Sequence, residues 1–140
     1  DGITTFAGED AFDEFLGEAD ILICLLPRTP ETEGLLNSET LSHLPKGAAI
    51  INAARGAMIN EADLLRAIDT GHLRGAFLDV AVTEPLPESH PFWDHPKIRI
   101  TPHIAAATRV EESADQIAQN IDRMARGETP TGLVDRQSGY

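Results

Sequence analysis

Four short runs of almost wholly apolar residues dominate the sequence, and each is separated from the next by polar or helical-period segments. They span residues 21–26, 48–52, 75–80 and 97–101, with Ile21, Ile23, Ile50, Ile51, Phe77, Val80 and Ile98 among them. Continuous rather than alternating hydrophobicity over strand length is the pattern of a parallel strand covered on both faces. The segments between the runs are short and helical in period, which predicts βαβ units and a doubly wound α/β sheet.

The helical segments have readable ends. Phe12, Phe15 and Leu16 recur at helical spacing ahead of Gly17. Asn37 or Ser38 can cap a second helix, carrying Leu41 and Leu44, that Pro45 stops. Asn60 can cap a third, with Glu61 and Asp63 in its first turn, Leu64, Leu65 and Ile68 on one face, and Gly71 at its end. Thr108 and Glu111 read as a capping box for the longest helix, whose stripe runs from Val110 through Ile117 and Ile121 to Ala125 before Gly127. Residues 83–96 hold Pro85, Pro87, Pro91 and Pro96 and must form a loop. Residues 128–140 lack periodicity and read as an extended arm.

Charge and cysteine content exclude several classes of function. Eleven basic against 23 acidic residues leave a net charge of −12, which repels a phosphate backbone, so no nucleic-acid partner is expected. No apolar run approaches the ~20 residues that a membrane helix needs, and a soluble, cytoplasmic protein is expected. The single cysteine, Cys24, sits in an apolar run and reads as inert packing. No histidine pair or acidic cluster has metal-ligand spacing, so no metal is expected. His43, His72, His90 and His95 fall in polar or helix-end settings that fit solvated or capping roles. Trp93 reads as a loop anchor, and Glu9, Asp10, Asp13 and Glu14 as a solvated helix face. At 140 residues the length fits one domain, yet the chain opens on Asp1-Gly2-Ile3 without an initiator Met and can be a piece of something longer.

In open α/β sheets, ligands bind beyond the carboxyl ends of the strands. That rule selects Pro27 to Thr29, Ala53 to Gly56, Asp79 to Glu84, and Pro102-His103. Arg55, Glu84 and His103 then put a cation, a carboxylate and an imidazole on one rim. A guanidinium holds a carboxylate through two parallel hydrogen bonds, and a histidine can supply the proton that accompanies hydride transfer. An Arg–Glu pair beside a histidine is also a common structural arrangement, and spacing leaves both readings open. None of the 11 glycines falls in a G-x-G-x-x-G pattern, so a dinucleotide's pyrophosphate loop is not in this chain.

Four ordered blocks carry a resemblance. They are Leu25-Leu26-Pro27 with Thr29-Pro30-Glu31-Thr32; residues 51–56 ending Ala53-Ala54-Arg55-Gly56; Leu78-Asp79-Val80 followed by Glu84-Pro85-Leu86-Pro87; and Thr101-Pro102-His103. In these the chain resembles the D-2-hydroxyacid dehydrogenase family, and nearest its glyoxylate- and hydroxypyruvate-reducing branch. The resemblance implies reduction of a small 2-oxo acid to the D-2-hydroxy acid with NADP, or alternatively NAD, as cofactor, by a homodimer in the family's manner. It implies that residues 1–105 are the later part of an NAD(P)-binding Rossmann domain, and 106–140 a connecting helix and arm of the substrate domain.

Carried over by position, Arg55 anchors the substrate carboxylate, His103 protonates the carbonyl oxygen and Glu84 holds the imidazole. Asp79 meets the nicotinamide carboxamide, while Leu26, Pro27, Ala53 and Ala105, with Thr29, Arg55 and His103, complete the cofactor contacts. The glutamate at position 84 argues against the formate-oxidising relatives, which carry glutamine there. On the same resemblance the isolated chain, without its phosphate cradle, is expected to be inactive. The alternatives are another D-2-hydroxyacid dehydrogenase or a non-catalytic, corepressor-like binding protein that keeps the fold.

Overall fold

In the computed structural model, which describes residues 2–136, four strands form one parallel sheet in the order β1-β2-β3-β4. They are β1 (Ile21–Cys24), β2 (Ala48–Asn52), β3 (Leu73–Leu78) and β4 (Ile98–Ile100). Helix α1 (Phe12–Gly17) precedes β1, and two helices intervene between strands, α2 (Ser38–His43) and α3 (Glu61–Asp69). The fourth, α4 (Val110–Ala125), follows the sheet. Contacts divide the chain into two compact units, Asp1–His103 and Ile104–Tyr140.

In the first unit, local chemistry fixes the helix starts. Asn37 caps α2 by accepting from the amides of Glu39 and Thr40, and the Thr40 hydroxyl accepts from Asn37 N–H in return. Asn60 caps α3 through the amide of Asp63, whose carboxylate also accepts from Ser38 N–H at 2.9 Å and so ties α3 to the start of α2. Leu16, Leu41, Leu64 and Ile68 of these helices pack on Leu22, Ile50, Ala76 and Leu78 of the sheet. Each fully buried aliphatic side chain contributes roughly 1.5–3 kcal/mol. Burial pushes the Cys24 thiol up to about 11, which makes it inert at neutral pH.

The apolar runs lead to cover on both faces, and the structure corrects that expectation. β1 is buried only at alternate residues, and Ile21, Ile23 and Phe77 lie half exposed on the opposite side. The physical reason is that α1, α2 and α3 all pack against the same set of side chains. Between β3 and β4 the prolines prevent a helix, and a loop of turns carries the chain across. Gly75 permits the close approach of β4: a Cβ there would sit inside contact distance of the Lys97 carbonyl.

The second unit departs from expectation at the start of α4. Arg109, not Thr108, is its N-cap, with no side-chain cap; Ser113 N–H reaches the Arg109 carbonyl at 3.0 Å, and Arg109 pairs with Glu112. The stripe from Val110 to Met124 is exposed along its whole length. The residues after α4, expected as an extended arm, hold no helix or strand as far as residue 136 and are tied to α4: Asn120 bonds the backbone of Thr131 in both directions and Arg123 donates to the Thr129 carbonyl. The expected tail residues Gln137, Ser138, Gly139 and Tyr140 lie outside the described residues.

Candidate active site

Asn52 ends β2 and is almost completely buried. Its Oδ1 accepts from Ala54 N–H and its Nδ2 donates to the Arg55 carbonyl, both at 3.0 Å. One satisfied amide thus turns the backbone and delivers Arg55 to the exposed rim. Gly56 follows because the loop after β3 rests directly on it. A Cβ at Gly56 would overlap the carbonyl group of Ala81, so the segment carrying Arg55 and the turn leading to Glu84 touch through a glycine.

The loop after β3 supplies the carboxylates. Asp79 is buried, its amide bonds the Asn52 carbonyl at 2.9 Å, and its side chain accepts from the Thr101 hydroxyl. Glu84 folds back so that Oε1 accepts from Ala81 N–H at 3.0 Å while Oε2 meets His103 Nδ1 at 2.8 Å. The His103 hydrogen bond first, then the Ala81 amide, hold the Glu84 carboxyl below its ordinary range, with the charges of His103 and Arg55 adding to the effect. Arg55 therefore stands close enough for its charge to reach Glu84. His103 itself has φ 55, in the left-handed region that residues with a Cβ rarely adopt, and its amide is pinned to the Asp79 carbonyl at 2.8 Å.

These side chains border a cavity of about 680 Å³ walled by Asp79, Glu84, Leu86, Trp93, Thr101 and His103, among others. With Nδ1 engaged by Glu84, proton exchange with a ligand falls to Nε2 of His103. Arg55 is not among the lining residues. Leu26 and Pro27 are exposed after β1, and Ala53 is half buried after β2. Thr29 is buried, and it works for its own loop: its amide bonds the Thr32 hydroxyl at 2.8 Å. Ala105 falls in the second unit.

Two readings are revised. Trp93 does anchor its loop, through Nε1 to the Pro87 carbonyl at 2.9 Å, but its ring also walls the cavity. The other histidines are not simply solvated: His43 pairs with Asp13, His90 with Glu61 and His95 with Asp69, while His72 bonds the Leu41 carbonyl. Thr101, in the last of the four sequence blocks, and Glu61, a first-turn residue of the third helix, owe their contacts at the site, to Asp79 and to His90, to the fold alone. Among the described residues, no group of three or more His, Cys, Asp or Glu could hold a metal ion, and no helix is long and apolar enough to cross a membrane.

The sequence model of the D-isomer specific 2-hydroxyacid dehydrogenase NAD binding domain matches residues 4–105. The chain belongs to this family. It is 53% identical over all 140 residues to glyoxylate/hydroxypyruvate reductase A of Serratia proteamaculans, covering 45% of that protein. Against the reductase A of Salmonella paratyphi B the identity is 48% over 139 residues, again 45% of the relative. The chain thus spans less than half the length of these curated relatives.

Among solved structures, a D-isomer specific 2-hydroxyacid dehydrogenase from Xanthobacter autotrophicus Py2, in complex with NADPH and MES, superposes with a TM-score of 0.97 at 43% identity, covering 100% of this chain and 58% of that one. An NADPH-dependent glyoxylate/hydroxypyruvate reductase from Sinorhizobium meliloti, in complex with NADP and sulfate, gives 0.92 at 37% identity, over 96% of this chain and 44% of that one.

Proposed function

We propose that this chain is the nicotinamide-facing, acid–base part of an NAD(P)H-dependent reductase that converts glyoxylate or hydroxypyruvate to the corresponding 2-hydroxy acid. The observation that carries the reading is the 2.8 Å bond between His103 Nδ1 and Glu84 Oε2 at the mouth of an apolar-walled cavity. The naming of its relatives supports the choice of substrate, and their bound NADPH and NADP support NADP as cofactor. Residues 1–105 are read as the later part of the NAD(P)-binding domain and 106–140 as the helix and arm that join the substrate domain. The homodimer expected from the resemblance and the cytoplasmic location expected from the apolar-run lengths belong to the same proposal.

The donor set fits the nicotinamide end of such a cofactor. Asp79 is a buried carboxylate on the cavity wall that can accept from a carboxamide, and Leu26, Pro27 and Ala53 offer apolar and backbone surface at neighbouring strand ends. Arg55 and His103 complete that contact set, and Thr29 and Ala105 enter it on the resemblance alone. When bound, the reduced nicotinamide supplies a hydride to the carbonyl carbon.

Every other part of the step falls to side chains of this chain. Arg55 holds the 2-oxo acid by its carboxylate, with the planar fork fixing the orientation of the carbonyl. His103, protonated at both ring nitrogens, donates to Glu84 through Nδ1 and gives its Nε2 proton to the carbonyl oxygen as the C–O double bond becomes a C–OH single bond. The ring is left neutral and is reprotonated from solvent. Glu84 stays ionised throughout, since its hydrogen bonds favour the charged form.

Spectrophotometric NADPH oxidation with glyoxylate, by the full-length protein, tests the reading. His103→Ala is expected to lower kcat by at least about 10²-fold, the usual contribution of a positioned acid. Near-normal turnover in that variant would remove His103 from the reaction. A full-length wild-type protein that oxidises no NADPH with either acid would favour the corepressor-like alternative.

A further inference from the structure

Behind the catalytic loop stands a second carboxylate–imidazole pair that the reaction as described does not use. Glu61 is the first residue of α3, directly after the Asn60 cap, and its Oε1 accepts from Val82 N–H at 3.0 Å. Its Oε2 lies 3.3 Å from Nε2 of His90, and the side chains are only 23% and 18% exposed. His90 Nδ1 accepts from Phe92 N–H at 3.3 Å, which places the ring proton on Nε2, pointing at Glu61. The ring sits edge-on to Phe92 with centroids 4.5 Å apart, and Phe92 is buried in the core.

The two pairs meet in one turn. Ala81 N–H is taken by Glu84 and the next amide, Val82 N–H, by Glu61, while the Ala81 carbonyl group rests on Gly56. The turn that aims Glu84 at His103 is therefore held by Glu61 at the start of α3, and Glu61 is in turn braced by His90, whose ring packs on Phe92 of the core. Val82 N–H would lose its acceptor if the turn swung away from α3.

We propose that Glu61 and His90 are positioning residues for the proposed reduction: they hold the turn at residues 81–84 so that Glu84 keeps the His103 ring in its donating orientation. The inference rests on the reductase reading for its effect on rate, but its geometric content is read separately. A misplacement of about 1 Å at a catalytic group can cost up to about 10²-fold in rate.

The experiment compares Glu61→Ala, Glu61→Gln and His90→Phe in the full-length protein. Two quantities are read: the downfield ¹H resonance of the His103 Nδ1 proton, and kcat alongside KM for NADPH and glyoxylate. Glu61→Ala is expected to broaden or abolish the resonance and to lower kcat roughly 10-fold or more, with KM for NADPH within about 2-fold of wild type. Glu61→Gln keeps an acceptor for Val82 N–H but sets its NH2 group against the His90 Nε2 donor, and is expected to recover part of both readouts. His90→Phe keeps the ring edge on Phe92, loses both the Nε2 donor to Glu61 and the Nδ1 acceptor of Phe92 N–H, and is expected to fall between Glu61→Ala and wild type; it decides the matter if Glu61→Ala does not fold.

An unchanged resonance and kcat in Glu61→Ala or His90→Phe, with only a lowered melting temperature, would reduce the pair to a structural tie and overturn the inference. A wild-type protein that shows the resonance but no turnover defeats the reductase reading alone, and the resonance in the variants still decides the positioning claim.

Discussion

Ile50, Leu64, Ile68 and Leu73 have no exposed surface, whereas Arg55, Glu84 and His103, a few residues further along the same chain segments, stand open at the rim. On the packed face almost every side chain is aliphatic, and the polar exceptions are hydrogen-bonded, as Asn52 is to the backbone of Ala54 and Arg55. On the rim the polar groups are held by one or two bonds each, half in water, and the backbone of His103 adopts an uncommon conformation. The contrast teaches that shape fixes the scaffold and orientation fixes the chemistry. Because the two regions share few side chains, substitutions should separate their effects.

The largest expected effect lies on the packed face. Leu64→Ala removes a side chain with no exposed surface and should cost about 2–5 kcal/mol in denaturant unfolding, with a shifted midpoint and an unchanged slope. A cost below about 1 kcal/mol would mean that this face is loosely packed and that the contrast is weaker than described. Next comes Arg55→Lys on the rim. A point-charge ammonium cannot reproduce the fork, so KM for the 2-oxo acid should rise roughly 10-fold while stability moves by less than about 0.5 kcal/mol. Steady-state kinetics and melting of the same preparation check both halves of that statement.

The smallest effect concerns pH. The Glu84 carboxyl is held below its ordinary value in the folded state, so the unfolded chain binds the proton more readily. Its contribution to stability is present above the unfolded value near 4.3 and is lost as pH falls through the lower folded value. Glu84→Gln should therefore flatten a small acid-side slope in a stability-against-pH curve and leave the region above about pH 5 parallel to wild type. With 40% of the side chain in solvent, screening keeps the slope small. A large loss at neutral pH would mean that the rim contributes to the scaffold after all.

Much of the scaffold was legible because its signals are local. The Asn37 and Asn60 caps act within three residues, and the strand at 48–52 matches its apolar run. Longer-range facts were not. The third strand lies at Leu73–Leu78, two residues earlier than its apolar run, because its register is set by pairing with Ala48 and Ala49. One uncovered sheet face cannot be told from a covered one by hydrophobicity, since Ile23 and Phe77 are as apolar as Leu22 and Leu78. At the site, Arg55, Glu84 and His103 were selected by their place after strands. The Glu61–His90 grip was invisible, because 29 positions separate partners that only the fold brings together.

The left-handed backbone at His103 carries a consequence for protein engineering. A histidine is kept there against the conformational preference of its own main chain, which glycine and asparagine tolerate better. Selection for thermal robustness alone would thus push this position toward residues that cannot donate a proton. A library screened for heat resistance without a turnover step would enrich firmer proteins that have lost their acid.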